Sequence, residues 1–485
     1  MKKLLLFIII ISICLSIFTL NFTVLHTNDH HGRPLPYSID NFFYGGLPAR
    51  KALIDSIKFN NPNTIILDSG DINDGLIESD FFSAEPDIIA YNKIGYNAVT
   101  LGNHEFYSSL SNLKNQMKQA AFPFLCSNIL YKDSSYVAKS YIIKNIENVR
   151  IAIIGVTTNS TQFSAPSSVR KDLIFIDETK AVNDVIKSLK GKADIFIALT
   201  HLGIYEDEQS GSVKLAKSCP DLDLIIDGHS HTYLEKPLWI RQNDGDSIAI
   251  VQTECWGKFL GKIDISYEDN KLTLSSWQLF PINFQNTIKE DKELNLILNR
   301  YKSQVDTLLG AKIAVSDYFY QINDIRLKPC PIGTEIAKSM LWQYRKEKPF
   351  LAMTNGGGIR TPLNKGIILK KDIYNLLPFE NNLILMEVDG KTLKEIILFN
   401  QKKIGTGGYL HFSSNISISN QEVEVDNHRI RDERNYKIVT NSYLSNGGDA
   451  FDMFLKGRTI SGTDEFQREI FTNYIINQLK SKIAF

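Results

Sequence analysis

The chain has 485 residues, 43% of them hydrophobic and 11% aromatic, which is enough apolar material for large cores and, by length, for two or three domains rather than one. Lysine plus arginine and aspartate plus glutamate number 54 each, giving a formal net charge of zero. That balance excludes a global field favouring nucleic acid, anionic lipid or any other highly charged partner, so an anion must be bound by a local arrangement of groups.

The opening segment, "MKKLLLFIIIISICLSIFTL", sets two lysines ahead of an apolar run from Leu4 to Leu20. This is the pattern of an export signal. Residues 1–21 are therefore read as a signal peptide or membrane anchor, with the rest of the protein in the periplasm or at the cell surface. At 17 residues the run sits near the lower limit for spanning a bilayer, and no small-x-small cleavage site follows it, so a retained anchor stays open. "ISIC", ending at Cys14, is a poor lipoprotein cleavage box. Membrane contact is expected through this segment alone. Cys126, Cys219, Cys255 and Cys330 are widely spaced without a CxxC pair, which argues against a zinc-thiolate site.

From Phe22 to about Phe280, apolar runs alternate with amphipathic stretches. "NTIILD", "NAVTLG", "VRIAIIGVTT", "DIFIALTHLG" and "LDLIIDGHSH" each read as a buried strand running straight into polar residues, within a mixed α and β fold. "KEDKELNLILNRYKSQVDTLLG" then sets Leu294, Leu298, Tyr301, Val305 and Leu308 at helical spacing and stops at Gly310. Residues 286–311 are taken as a helix connecting two domains. Residues 312–485 form a second α/β region with its own glycine-rich turns, "TNGGGIRTP" and "NSYLSNGGDAF".

Seven of the nine histidines lie between His26 and His231, five of them at strand ends beside carboxylates, amides or glycines. "LHTNDHHGR" supplies Asp29 and His31, two apart and so on one side of an extended segment. "LDSGDINDG" supplies Asp71, "GNHE" Asn103 and His104, "LTHLG" His201, and "DGHSH" His229 and His231. A parallel-type sheet would gather these groups at one edge. Taken singly, each is ordinarily a cap or turn former; five groups, each ending a buried run, favour ligands instead. Two divalent ions need an anionic bridge to offset their repulsion, which Asp71 can supply, while imidazoles and an amide fill coordination sites without making the centre too negative for a phosphate. His26 and His30 are expected to be packed or solvated, and His411 and His428 are left structural.

The ordered set "NDHHG", "GDINDG", "GNHEF", "THLG" and "GHSH" resembles the calcineurin-like metallophosphoesterases. "NGGGIR", "LPFENNL" and "SNGGDAF" resemble the C-terminal domain of the 5'-nucleotidases. The resemblance implies a four-layer αββα catalytic domain over residues 22–285, the connecting helix, and a substrate-binding domain over residues 312–485. It implies two divalent ions (Mn, Zn, Mg or Co), one held by Asp29, His31, Asp71 and His231, the other by Asp71, Asn103, His201 and His229. His104 would face the phosphate as the catalytic group, beside Asn103. Nucleoside 5'-phosphates are the implied substrates, and no nucleic-acid polymer is expected as a partner. Arg360 is suited to an anionic group, Asn381 is offered by "PFENN", and Tyr409, Tyr443 and Asp449 match base-stacking and ribose-binding positions. Two departures stand out. His231 replaces the Gln or Asn of many nucleotidases, and Tyr107 replaces the Asp commonly found three residues after the catalytic His. The rival readings are a related enzyme acting on cyclic nucleotides, nucleotide sugars or sulfur esters, and a surface-binding protein that has lost activity.

Overall fold

Strands that are apolar on both faces must be covered on both faces, and the arrangement of this chain follows from that requirement. The computed structural model describes residues 19–39, 42–205, 209–282 and 289–483. Most of the apolar run at the start, and Cys14 with it, lies outside these residues. Among the described residues no helix is long and apolar enough to cross a membrane.

Two six-stranded sheets lie face to face. The first runs in the order Lys271–Pro281, Phe259–Glu268, Thr19–Thr27, Thr64–Asp68, Ala98–Thr100, Phe124–Leu125; the second Leu238–Arg241, Ser247–Val251, Leu224–Ile226, Ile195–His201, Val149–Thr157, Tyr141–Ile146. Alternation assigns each strand residue to a layer. Ile65, Leu67, Ile195, Ile197 and Leu199 fill the core between the sheets. Ile66 faces the other way, with Leu47, Ile54 and Tyr91 of the helices Gly46–Asn60 and Glu85–Ile94. Ala198 and Ile225 likewise meet Val182, Ile186 and Val213 of Glu178–Leu189 and Gly211–Ser218. The result is the four-layer αββα sandwich, and it explains why the inner strands read as unbroken apolar runs.

Thr19–Thr27, Thr64–Asp68 and Ala98–Thr100 are mutually parallel in the first sheet. Val149–Thr157, Ile195–His201 and Leu224–Ile226 are parallel in the second.

The connecting helix is Lys292–Leu309. Asp291 caps it, its side chain accepting from the Leu294 amide at 2.7 Å. Leu294, Leu298, Val305 and Leu309 are buried. Leu308 is 57% exposed, so the buried seam ends one residue later than the spacing suggested, where Leu309 joins Ile77, Phe82 and Tyr374. The helix thereby touches both domains, and Asp306 pairs with Lys371 at 2.5 Å.

The second domain holds a mixed five-stranded sheet in the order Leu410–Phe412, Leu351–Asn355, Asn435–Asn441, Asn382–Asp389, Arg458–Phe466. The helix Gly390–Phe399 covers one face through Leu393, Ile396 and Ile397. Pro331–Gln343 and Gln467–Ile483 cover the other, through Met340 and Ile470.

Candidate active site

Each group singled out in the first domain sits at the carboxyl end of a parallel strand. Asp29 follows Thr19–Thr27, Asp71 follows Thr64–Asp68, Asn103 and His104 follow Ala98–Thr100, His201 ends its strand, and His229 and His231 follow Leu224–Ile226. Parallel strands deliver their ends to one edge, and because the sheets stack, the two edges coincide.

There the side chains gather into three groups whose ligand atoms lie within 4.8 Å of one another: Asp29 with His31 and His231, Asp71 with His201 and His229, and His31 with Asp71 and His104. Asp71 connects them, its Oδ2 lying 3.1 Å from His201 Nε2 and 3.8 Å from His31 Nε2. Asn103 joins through Oδ1, 3.2 Å from His201 Nε2. The Nε2 atoms of His31 and His231 face each other at 3.1 Å, and His31 turns its Nδ1 to the Asn73 carbonyl. His201 directs Nδ1 to the Ser69 carbonyl at 2.6 Å. These bonds fix both imidazole tautomers and leave Nε2 as the lone pair offered inward, as metal-ligating histidines require. The donor set therefore suits divalent cations.

Backbone strain marks the same spot. Asp29, His31, Asp71, His229 and His231 all have positive φ, between 46° and 78°. Non-glycine residues seldom adopt that region, and such strain persists where surrounding structure over-determines it. Gly102 permits a close approach of the two loops, since a Cβ there would lie 2.0 Å from Asp71 Oδ1. Glu105 then ties the two loops together, accepting from the amides of Asp71, Ile72, Asn73 and Gly102 at 2.7 to 3.2 Å.

Without cations the electrostatics are one of paired charges. Burial alone would lower His201, but Asp71 and Asp29 outweigh it and lift the pKa to about 10. His231 is lifted to about 10 by Cys255 and Asp29 against the same opposition. Burial pushes His229 down to about 3. Asp71, which burial would raise, is held well below the usual carboxylate range by His201 and His104.

His31, Asp71, Asn103, His104, His229 and His231 line a cavity of about 600 Å³ that residues of the second domain also line. Asp71, His104 and His231 form one wall; Arg360, Asn381, Tyr443 and Asp449 form the opposite one. Asp449 accepts from Tyr443 Oη at 3.0 Å and from Asn355 Nδ2 at 3.1 Å. Arg326 and Arg360 both line the cavity, and neither forms an ion pair among the described residues, so two guanidinium charges face it unneutralised.

Residues 22–233 match the family model for calcineurin-like phosphoesterases, and residues 311–456 match that for the 5'-nucleotidase C-terminal domain. A 5'-nucleotidase of Vibrio vulnificus is 31% identical over 89% of this chain and 86% of its own. The chain belongs to the 5'-nucleotidase family. Protein UshA of Yersinia enterocolitica is 30% identical over 94% of this chain and 91% of its own. Among solved structures, a 5'-nucleotidase precursor from Thermus thermophilus superposes with a TM-score of 0.85 at 25% identity, covering 95% of this chain and 97% of that one. Membership makes the protein a phosphoester hydrolase of a class that works with divalent ions.

Within this nucleotidase framework, Tyr409 is the one expected substrate-binding residue that does not line the cavity; Asp29 and His201 are fully buried behind its lining. Tyr409 is 8% exposed, its ring meets His411 edge-on at 5.4 Å, and its carbonyl accepts from the Gly356 amide. Residues two apart on an extended segment share a face, so Tyr409 follows His411 into the core. From the second domain, the aromatic side chain that lines the cavity with Tyr443 is Phe379; Tyr107 and Phe163 line it from the first. Phe379 lies in the "LPFENNL" motif, two residues before Asn381, but adjacency to a matched residue was its only signal. Arg326, in "NDIRLKP", carried none.

The histidines set aside as structural are accounted for. His26 is buried and stacked on Trp277 at 5.3 Å. His30 Nε2 lies 2.9 Å from Asp87, and Arg50 donates to its Nδ1 at 3.2 Å. His411 Nε2 meets the Ile325 carbonyl at 2.7 Å, and His428 is exposed. The four cysteines of the described residues are free.

Proposed function

We propose that the protein hydrolyses nucleoside 5'-monophosphates to nucleoside and phosphate, using two divalent ions. Asp29, His31, Asp71 and His231 would hold one, and Asp71, Asn103, His201 and His229 the other. Catalysis is assigned to residues 22–285 and substrate recognition to residues 312–485, joined by 286–311. The observation that carries this reading is that the ligand groups sharing Asp71 open into the same cavity as Tyr443, Phe379, Asp449 and Arg360. The lysine-led apolar start supports export.

When bound, the ions supply Lewis-acid charge to the phosphoryl oxygens and an activated water for in-line attack. The chain's own groups do the rest. His104, whose main-chain amide donates to Asp71 Oδ1 at 2.9 Å, offers its ring to the cavity, where it stabilises the charge on phosphate or protonates the leaving oxygen. Arg360 and Arg326 draw the anionic group in. Asp449 and Asn381 offer hydrogen bonds to the sugar and base, and the rings of Phe379 and Tyr443 provide faces for stacking. Stacking accepts every base, so several nucleotides are expected as substrates, with a modest purine advantage from area.

The test is phosphate release from a panel of nucleoside 5'-monophosphates, with Mn, Mg, Zn or Co returned to metal-stripped protein. Asp71→Asn should abolish most turnover and lower metal content. One ion or none in the active enzyme overturns the dinuclear reading. Hydrolysis of p-nitrophenyl phosphate without any nucleotide overturns the substrate assignment.

A further inference from the structure

Behind His104, which lines the cavity, lies an acid that no part of the reading above uses. Asp74 Oδ2 lies 2.8 Å from His104 Nδ1. We propose that Asp74 is the positioning residue of His104, holding the Nδ1 proton so that Nε2 is presented to the phosphate; this rests on the phosphoester-hydrolase reading of the site, though not on the identity of the nucleoside.

Three observations carry it. The first is the direction of the ring. With Nδ1 bonded to Asp74, His104 Nε2 is the nitrogen that faces the metal-ligand cluster, 3.9 Å from Asp71 Oδ2. A hydrogen bond that fixes one ring nitrogen decides what the other can do.

The second is that the loop offering Asp74 is built to hold it. Asp74 has φ of 62°, a conformation that aspartate tolerates better than most residues. On one side, Asn73 and Gln116 exchange reciprocal amide hydrogen bonds at 3.0 and 3.1 Å. On the other, the Gly75 amide donates to both oxygens of Asp80 at 3.0 and 3.2 Å. A Cβ at Gly75 would lie 1.7 Å from the His31 carbonyl oxygen, so the loop is pressed against the backbone that carries a metal ligand. The carboxylate therefore meets His104 from a fixed support, the condition for precise orientation of a reacting group.

The third is what Tyr107 does instead. Its ring packs on His104 at 4.3 Å between centroids, but its hydroxyl accepts from Asn103 Nδ2 at 2.8 Å. That bond settles which end of the Asn103 amide points away from the cluster and leaves Oδ1 facing His201. Residue 107 thus orients a metal ligand, and the carboxylate on His104 comes from the neighbouring loop. The departure noted at Tyr107 does not leave His104 without an anionic partner.

The experiment is a double-mutant cycle on the metal-loaded protein, with p-nitrophenyl phosphate and adenosine 5'-monophosphate assayed in parallel. Asp74→Ala should lower kcat about 10- to 100-fold, with KM, metal content and thermal midpoint close to wild type. In a His104→Ala background the same change should do nothing further, because the residue it acts through is gone. Asp74→Asn, whose Oδ1 can still accept from Nδ1, should lose less than Asp74→Ala and serves if the alanine variant folds poorly. Equal losses in the two backgrounds, a wild-type kcat in Asp74→Ala, or loss of metal in either Asp74 variant would overturn the proposal. A wild type that cleaves only the nitrophenyl ester removes the nucleotide assignment while leaving this cycle readable.

Discussion

Glu105 is the residue whose replacement should travel furthest through the site without touching substrate. Its Oε1 accepts from the Ile72 and Asn73 amides, and its Oε2 from those of Asp71 and Gly102. Glu105→Gln keeps the shape but turns one acceptor into a donor, so two of four buried amides lose their partner and meet another N–H. At about 1–3 kcal/mol for each unsatisfied buried group, the cost is roughly 2–6 kcal/mol. A second effect sets where in that range the protein falls. Burial and the Asp71 charge push Glu105 up to about 8, so in metal-stripped protein at neutral pH the native side chain is already largely neutral and Gln changes less, whereas cations on Asp71 favour the carboxylate that Gln cannot replace. The loss should therefore sit near the lower end for stripped protein and the upper end for loaded protein. Differential scanning calorimetry of both forms reads it, at about 2–4 °C in Tm per kcal/mol for a domain of this size. Metal analysis reads the accompanying loosening of Asp71 and Asn103. An unchanged Tm and full metal content in Glu105→Gln would refute the idea that this carboxylate clamps the two ligand loops.

Metal loading should be proton-coupled. His201 and His231 are lifted to about 10 in metal-free protein, so both carry protons at neutral pH that a cation must displace. Affinity should accordingly rise as pH rises towards that value and fall on acidification, and calorimetric titration in buffers of different ionisation enthalpy would show proton release; an affinity flat between about pH 6 and 8 would contradict it. In the second domain, Phe379→Ala and Tyr443→Ala should each lower kcat/KM for nucleotides by about 1–3 kcal/mol, or roughly 5- to 150-fold, while sparing p-nitrophenyl phosphate. Tyr409→Ala should instead destabilise the fold by up to about 3–5 kcal/mol and leave the ratio between the two substrates unchanged; a selective loss in that variant would return Tyr409 to the cavity.

What the sequence made legible was set by short-range rules. An apolar run followed at once by a ligand-type residue identifies both a strand and the end of it that matters, and this brought Asp29, Asp71, Asn103, His201, His229 and His231 to one place. The same rule excluded His26, which lies inside its strand. What was not legible depends on contacts between elements. Nothing local distinguishes Asp74 from Asp71 in "GDINDG"; the difference appears when Gly102 and Gly75 let three loops close together and only Asp74 falls on the outer side of His104. Leu308 and Leu309 are equally apolar, and the partners Ile77, Phe82 and Tyr374 decide which is buried. A glycine-rich turn beside Tyr409 promised a cavity wall, yet the pairing of Leu410–Phe412 with Leu351–Asn355 turned that ring inward.

The division of labour between the domains follows from where strain and rigidity lie. The ligand loops have positive φ at five residues and a buried carboxylate clamp, and strand ends backed by two sheets hold them so; on the proposed reading these loops recognise the phosphate. The half proposed to meet a nucleoside is supplied by residues some 300 positions later in the chain, and links between the two include the helix Lys292–Leu309, the Lys371–Asp306 pair and the bond from the Ile77 amide to Asn375 at 2.6 Å. Chemistry and selectivity can therefore vary separately. On the proposed reading, a change at Phe379, Tyr443 or Arg326 should alter which ester is held without disturbing Asp71 or His104, whereas the proposed Asp74 and Tyr107 arrangement supports His104 and Asn103 without touching the second-domain wall. A small phosphate ester, which needs only the first half, is thus the proper reference substrate for every variant of the second.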